Sequence, residues 1–403
     1  MDMGLSPDIV LAGLRRTWRS GALYGGVAIV MIGALVARSS RVAGGLAWAT
    51  VALAVWLYLS SFVGRRLALN HPLSVSSLLT GFGPGTTATI LRGWLLACLA
   101  GFLFLPRPPG PMGWIPAVIY TFANVCDFLD GYLARVSGHA TLMGEALDIE
   151  FDALGLLISV SVAVHYSALP AWFLLVGLAR YAFLFGLWLR RRADKPIYPL
   201  PPSDSRRPIA GLQMGALGII LVPVLQPAVT TLGGLLLAVP LLAGFTRDWL
   251  VVSGSVDVSS VEYQRTRQLV KRIALHWLPV FLRAVVMATA LRLAYDTSMV
   301  SAQSDLGFGL SALAAAGESS VVVKFLWLAA GAAVGLGAAP RISAALFLVL
   351  LLFSAASGEN SLTLLISLAA AVGVVMAGGG AISAWQPEVR WFGRRAGDKD
   401  ITG

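Results

Sequence analysis

Asp127-Phe128-Leu129-Asp130-Gly131-Tyr132-Leu133-Ala134-Arg135, then eight residues, then Gly144-Glu145-Ala146-Leu147-Asp148-Ile149-Glu150-Phe151-Asp152: this stretch holds six of the chain's twenty carboxylates. Its surroundings are otherwise apolar enough to lie in a membrane. An acid at the centre of a bilayer costs about 2.5–3.5 kcal/mol or more, so intramembrane acids are normally paired, metal-bound or catalytic. Four aspartates at regular spacing therefore need a common explanation.

Helical geometry supplies one. Residues three or four apart share a helix face, so Asp127 and Asp130 project together from one segment, and Asp148 and Asp152 from the next. If the two segments form an antiparallel hairpin, four carboxylates converge. They could not all stay ionised in a low-dielectric site without cations. An all-oxygen donor set suits Mg2+ or Mn2+, and a pair of such ions is the usual clamp for displacement at phosphorus. The acids taken alone also fit a cation-coupled transporter. Gly131 and Gly144 argue for an enzyme, because they remove side chains beside the acids and let a base or a diphosphate approach the backbone; tight helix packing is their structural alternative.

The pattern Asp-x2-Asp-Gly-x2-Ala-Arg-x8-Gly-x3-Asp-x3-Asp resembles the signature of the CDP-alcohol phosphotransferases (the CDP-alcohol phosphatidyltransferase family), with every fixed position present. The resemblance runs from about Pro84 to Asp248. Pro84-Gly-Thr-Thr-Ala-Thr89-Ile-Leu-Arg92 is similar to the family's opening motif, with Gly85 where Asn is commoner. Ser205-Arg206-Arg207-Pro-Ile-Ala-Gly-Leu-Gln213 is similar to its later basic segment, with Arg in place of Lys. The resemblance implies a divalent-metal-dependent transfer of a phosphatidyl-type group from a CDP-linked lipid, such as CDP-diacylglycerol, to a small alcohol, releasing CMP. UbiA-like prenyltransferases also use two aspartate-rich motifs with magnesium. Their motifs lie far apart in sequence, whereas here both fall within one hairpin.

Composition places the chain in the membrane independently of the motif. Of 403 residues, 57% are apolar and 12% charged, with a mean hydropathy of +0.78, well outside the range of soluble domains. The expected fold is all-α and polytopic, with about twelve transmembrane helices around a six-helix core. They are expected near 22–37, 43–63, 87–105, 114–137, 143–165, 169–189, 208–225, 229–247, 274–295, 319–339, 341–357 and 362–384. Residues 1–80 read as an N-terminal extension with two helices, 81–257 as the catalytic core, and 258–403 as a four-helix C-terminal extension. Clusters at Arg15–Arg19, Arg65–Arg66, Arg190–Lys195, Arg206–Arg207 and Arg265–Arg272 fall on one side of alternating helices. By the positive-inside rule that side is cytoplasmic, and the aspartate frame faces it. The net charge of +10 then reflects topology and contact with anionic membrane lipids rather than nucleic-acid binding. The expected location is a prokaryotic plasma membrane.

Each candidate residue takes a role on this basis. Asp127, Asp130 and Asp148 are expected to hold two Mg2+ or Mn2+ ions, with Asp152 sharing one. Asp152, at the end of the frame, is also the candidate base for the acceptor hydroxyl. By resemblance, Thr89, Gly131, Ala134 and Gly144 line the cytidine site. Arg135 either pairs with a carboxylate or holds the nucleotide's phosphates. Arg180, Arg206 and Arg207 are candidates for binding an acceptor that itself bears phosphate, since guanidinium groups bind phosphate bidentately. Glu145 shares the face of Asp148 and Asp152, and Glu150 points away from it, towards an expected arginine partner. Cys98 and Cys126 have no metal or disulfide spacing. Related enzymes are commonly dimers, so a homodimer is among the expectations.

Overall fold

A straight helix of 58 residues would be about 87 Å long, yet α1 (Pro7–Gly64) brings residues from its two ends together. Trp18 Nε1 donates to Ser60 O at 2.8 Å and Trp56 Nε1 to Ala22 O at 2.8 Å. Helix α1 is therefore a hairpin of two apolar spans, Pro7–Arg38 and Val42–Gly64. Small residues make the fold-back possible: a Cβ on Gly33 would lie 2.7 Å from that of Ala49. Helices in lipid gain little from the hydrophobic effect and associate through this kind of close backbone approach. The two indole bonds add about 0.6 kcal/mol each on average to that packing.

The computed structural model describes residues 6–72, 77–200, 206–223, 225, 227–296, 318–356 and 362–386. Among them the chain is all-helical, and the one β-type pairing is an isolated bridge between Ala338 and Trp385. The helices after α1 are α2 (Pro84–Ala100), α3 (Ile115–Val136), α4 (Leu142–His165), α5 (Leu174–Arg192), α6 (Arg206–Ile220), α7 (Pro227–Val252), α8 (Val261–Arg272), α9 (Leu278–Asp296), α10 (Glu318–Leu336), α11 (Pro340–Ala356) and α12 (Leu362–Ala377). A helix or helix arm stands at each of the twelve expected positions. Seven described spans are long and apolar enough to cross a membrane, and three shorter apolar helices accompany them. The protein is a polytopic integral membrane protein.

The chain divides into two compact units. One gathers Met1–Leu178 and Met214–Pro223, the other Ala179–Gln213 and Val224–Arg394. In the first, α2 is the central helix. It starts at Pro84, whose fixed φ suits a first helical position, after the extended Gly83. Its glycines let two neighbours come close. A Cβ on Gly85 would meet Asp130 O of α3 at 2.6 Å, and one on Gly93 would meet the Phe151 ring of α4 at 2.5 Å. The α1 hairpin is held by Trp94, whose Nε1 donates to Gly25 O at 3.1 Å.

Helix α3 is two-faced. Phe122, Val125, Phe128 and Tyr132 are exposed on one side, while Tyr120, Ala123, Cys126 and Asp130 are buried on the other. It ends in a Schellman motif: His139 N donates to Ala134 O at 3.0 Å and Gly138 N to Arg135 O at 3.3 Å, with Gly138 at φ +68°. That left-handed residue is where glycine is needed. Three residues later Thr141 caps α4, its hydroxyl accepting from Gly144 N at 3.1 Å. Gly138 and Thr141 thus make the α3–α4 hairpin from local sequence alone.

In the second unit, Val286, Ala290, Trp327, Val334, Phe347, Leu351, Ala371 and Val374 form the core among α9, α10, α11 and α12. Arg283 of α9 is 4% exposed inside it. Its guanidinium donates to Val334 O (2.9 Å), Gly335 O (2.7 Å), Gly379 O (2.6 Å) and Ile382 O. Val334 and Gly335 lie in the last turn of α10, and Gly379 and Ile382 lie just past α12. Carbonyls at helix C-termini have no partner within the helix, and a cation suits that end of the dipole. Helix α8 has no buried residue and carries Lys271 and Arg272 in its last turn.

Candidate active site

The α3–α4 hairpin brings the four aspartates together, and α2 contributes a fifth charged group that sequence reasoning had left without a role. Arg92 is 3% exposed and reaches all four carboxylates. Its Nη1 pairs with Asp127 Oδ1 and lies 3.1 Å from Asp148 Oδ1 and 3.7 Å from Asp130 Oδ2. Its Nη2 pairs with Asp152 Oδ1 and donates to Asp148 O at 3.5 Å. One guanidinium against four carboxylates leaves most of the negative charge to other cations.

The acids are not equivalent. Asp130 is the most enclosed, with 10% of its side chain exposed, against 29% for Asp127, 37% for Asp152 and 47% for Asp148. Thr89, one turn before Arg92 on α2, donates its hydroxyl to Asp130 Oδ2 at 2.8 Å. Asp127, Asp148 and Asp152 each offer an oxygen within 4.8 Å of the others. Three hard carboxylate oxygens at that separation fit a divalent cation such as Mg2+ or Mn2+. Asp130 stands beside Asp127 on the same helix, outside that trio.

The expected nucleotide residues border this cluster. Thr89 touches Asp130, and Ala134 lies against Gly85, where an added Cβ would meet the Ala134 Cβ at 2.9 Å. A Cβ on Gly144 would meet only Thr141 Oγ1 at 3.4 Å and Thr86 Oγ1 at 3.8 Å. Gly144 therefore leaves an open patch of backbone at the start of α4. Gly131 is different: a Cβ there would stand 3.1 Å from Arg135 Nη1. The Arg135 side chain, one turn on, folds back over the space that the glycine leaves.

Glu150 points away from the cluster as its spacing predicts, but its partner is a tyrosine. Tyr58 of the α1 hairpin donates its hydroxyl to Glu150 Oε1 at 2.6 Å, because that hairpin covers this side of α4. Glu145 is exposed. Arg180 is partly buried on α5, in the second unit, with Nε lacking a hydrogen-bond partner. Arg206 and Arg207 begin α6, and their side chains lie outside the described residues. Arg92 could have been found from the sequence, being the one Lys or Arg between Arg66 and Arg107 and sitting inside an apolar helix. Such a residue is a site candidate by default.

Comparison with known proteins agrees with this geometry. Residues 84–246 match the family model of CDP-alcohol phosphatidyltransferase; the chain carries a CDP-alcohol phosphatidyltransferase domain. Proteins of Mycobacterium bovis and Mycobacterium tuberculosis that carry the name cardiolipin synthase are 31% identical to it over 117 residues, which is 28% of this chain and 55% of theirs. A CDP-diacylglycerol–glycerol-3-phosphate 3-phosphatidyltransferase of Cereibacter sphaeroides is 33% identical over 89 residues, 21% of this chain and 39% of its own length. The chain spans about half the length, or less, of the curated relatives it matches. No solved structure matches it.

Proposed function

We propose that this protein transfers a phosphatidyl-type group from CDP-diacylglycerol or a related CDP-lipid to an acceptor alcohol and releases CMP, as a step of phospholipid synthesis at the cytoplasmic face of a plasma membrane. The observation that carries the reading is the convergence of Asp127, Asp130, Asp148 and Asp152 from one helical hairpin, with three of their oxygens at ligating distance. The matched family domain, the membrane-spanning helices and the names of the relatives support it. In this reading residues 81–257 carry the chemistry, and the segments before and after serve assembly or lipid access.

Asp127, Asp130 and Asp148 hold two Mg2+ or Mn2+ ions, and Asp152 shares one. When bound, the ions offset charge on the diphosphate and stabilise CMP as it leaves. Thr89 fixes Asp130 through its hydrogen bond. Gly144 and Ala134 leave room for the cytidine to lie close to the backbone, and Arg135, over Gly131, neutralises phosphate charge on the nucleotide side. Asp152 accepts the proton of the acceptor hydroxyl. The acceptor oxygen forms a bond to the lipid-bearing phosphorus as the bond from that phosphorus to the CMP oxygen breaks, and CMP departs with the electron pair. A carboxylate is a weak base towards an alcohol, so positioning supplies much of the acceleration.

The acceptor in this proposal bears a phosphate, bound by Arg180, Arg206 and Arg207; glycerol 3-phosphate is the acceptor in the name of the Cereibacter relative. Purified full-length protein, given radiolabelled CDP-diacylglycerol and Mn2+, should release CMP with glycerol 3-phosphate and not with inositol. Activity on inositol alone would overturn the acceptor assignment. Absence of CMP release with any alcohol, alongside prenyl transfer or ion uptake, would overturn the reaction class.

A further inference from the structure

The carboxylates that suit a divalent ion are the ones a guanidinium already holds. Arg92 pairs with Asp127, Asp148 and Asp152, and these are the three acids whose oxygens lie within 4.8 Å of one another. An Mg2+ ion needs its oxygens at about 2.0–2.1 Å in near-octahedral array. A guanidinium takes the same carboxylates through N–H bonds at about 2.7–2.9 Å. The two cations would also repel at such a distance. The two cations therefore compete for the trio.

Resting on the metal-dependent reading above, we propose that Arg92 is an internal counter-cation that holds the carboxylates together before loading and gives up its oxygens when a divalent metal enters. The problem it solves is physical. Four acids from two helices would drive the α3–α4 hairpin away from its neighbours if the site stood without a cation in a low-dielectric surrounding. Arg92 sits on α2, the helix against which α3 and α4 both pack, and its five donors reach several acids at once where a lysine would offer a single point charge. The same arrangement sets a threshold. Because metal binds only to the fraction of molecules in which the guanidinium has withdrawn, the apparent affinity is lowered by that fraction. Arg92 acts here as a positioning residue through the aspartates.

The test uses the full chain in detergent with Mn2+ as the probe. Mn2+ affinity is measured by calorimetry or by the electron paramagnetic resonance of free Mn2+, and Tm is recorded in EDTA and in saturating Mn2+. We expect Arg92→Gln to bind Mn2+ roughly ten-fold more tightly than the wild type, or better, by removing a competitor. Its Tm in EDTA should fall, and saturating Mn2+ should close most of that gap. Arg92→Lys should lie between the two. If Arg92→Gln folds only with metal present, it is purified in Mn2+ and stripped with chelator, and it should need more chelator than the wild type to lose its metal. Wild-type or weaker affinity in Arg92→Gln, or equally easy stripping, overturns the counter-cation role and leaves the metal centre standing. No Mn2+ binding by either protein overturns the metal centre and this inference with it.

Discussion

Two buried arginines, one in each unit, show how far the meaning of a side chain depends on what faces it. Arg92 is 3% exposed and Arg283 is 4% exposed, and both sit in apolar helices. Arg92 is met by four carboxylates from α3 and α4. Arg283 is met by backbone carbonyls from the ends of α10 and α12, with Ser383 Oγ at 3.3 Å beside them. Carboxylates are mobile, charged and able to change partner, which is what the exchange of guanidinium for metal proposed for Arg92 requires. Carbonyls fixed in helix ends have no such alternative, so the Arg283 cluster is a permanent lock. Burial and charge alone would have graded the two alike.

The largest effect that would break this contrast lies in the carboxylates. Asp127→Asn, Asp130→Asn and Asp148→Asn should each weaken Mn2+ binding and CDP-lipid binding together in calorimetric titration. Asp152→Asn keeps an oxygen ligand but loses the proton acceptor. Its turnover in single-turnover assays should fall by roughly 10²–10⁴-fold, with metal and CDP-lipid binding close to normal. If Asp152→Asn loses metal as severely as Asp127→Asn while its retained complexes react at the normal rate, Asp152 serves as a ligand alone and the proton leaves by another route.

A second test acts on the lock. Arg283→Met takes the donor from Gly335 O and Ile382 O, at about 1–3 kcal/mol each when buried, while Val334 O keeps Gly337 N and Gly379 O keeps Ser383 Oγ; it should lower Tm markedly at every Mn2+ concentration. Its Mn2+ affinity per folded molecule should match the wild type, the reverse of what Arg92→Gln should show. A change in Mn2+ affinity would mean that the two arginines are not separable in role. The smallest expected effect is that of Tyr58→Phe, which removes the bond to Glu150 from a largely exposed position. We expect a loss of about 0.5–1.5 kcal/mol in stability and a turnover close to normal, because α4 is also held through Phe151 against Gly93 of α2. A large fall in turnover at unchanged Tm would make the N-terminal hairpin part of the catalytic machinery.

Short-range pattern made much of this molecule legible. Helical spacing placed four aspartates on two adjoining segments, and hydropathy located the helices. Gly138 and Thr141 then close the hairpin through bonds spanning three to five residues. The expected four-acid convergence therefore follows from periodicity plus one turn. What escaped was set by partners distant in sequence: Arg92 meets acids 35, 56 and 60 residues away, and Tyr58 meets Glu150 across 92 residues. No helical period encodes such pairings. They come from which helices pack together, and that is decided by close approaches such as Gly85 against α3 and Gly93 against α4. Gly131 illustrates the limit from the other side. Its position in the motif was plain, but its space is taken by Arg135, a local rotamer choice that a residue pattern does not carry.

The carbonyl lock also sets an order of events in biosynthesis. Arg283 finds Val334 O after 51 further residues have been made, but Gly379 O and Ile382 O come 96 and 99 residues after it. At a ribosomal rate of roughly 5–20 residues per second, the gap of about 45 residues between the two sets of partners lasts about 2–10 s. Through that interval α9 carries a guanidinium with only half its shell. The last twenty described residues of the chain thus complete an arginine inserted long before them, and the second unit reaches its final stability only when its last described helix has arrived.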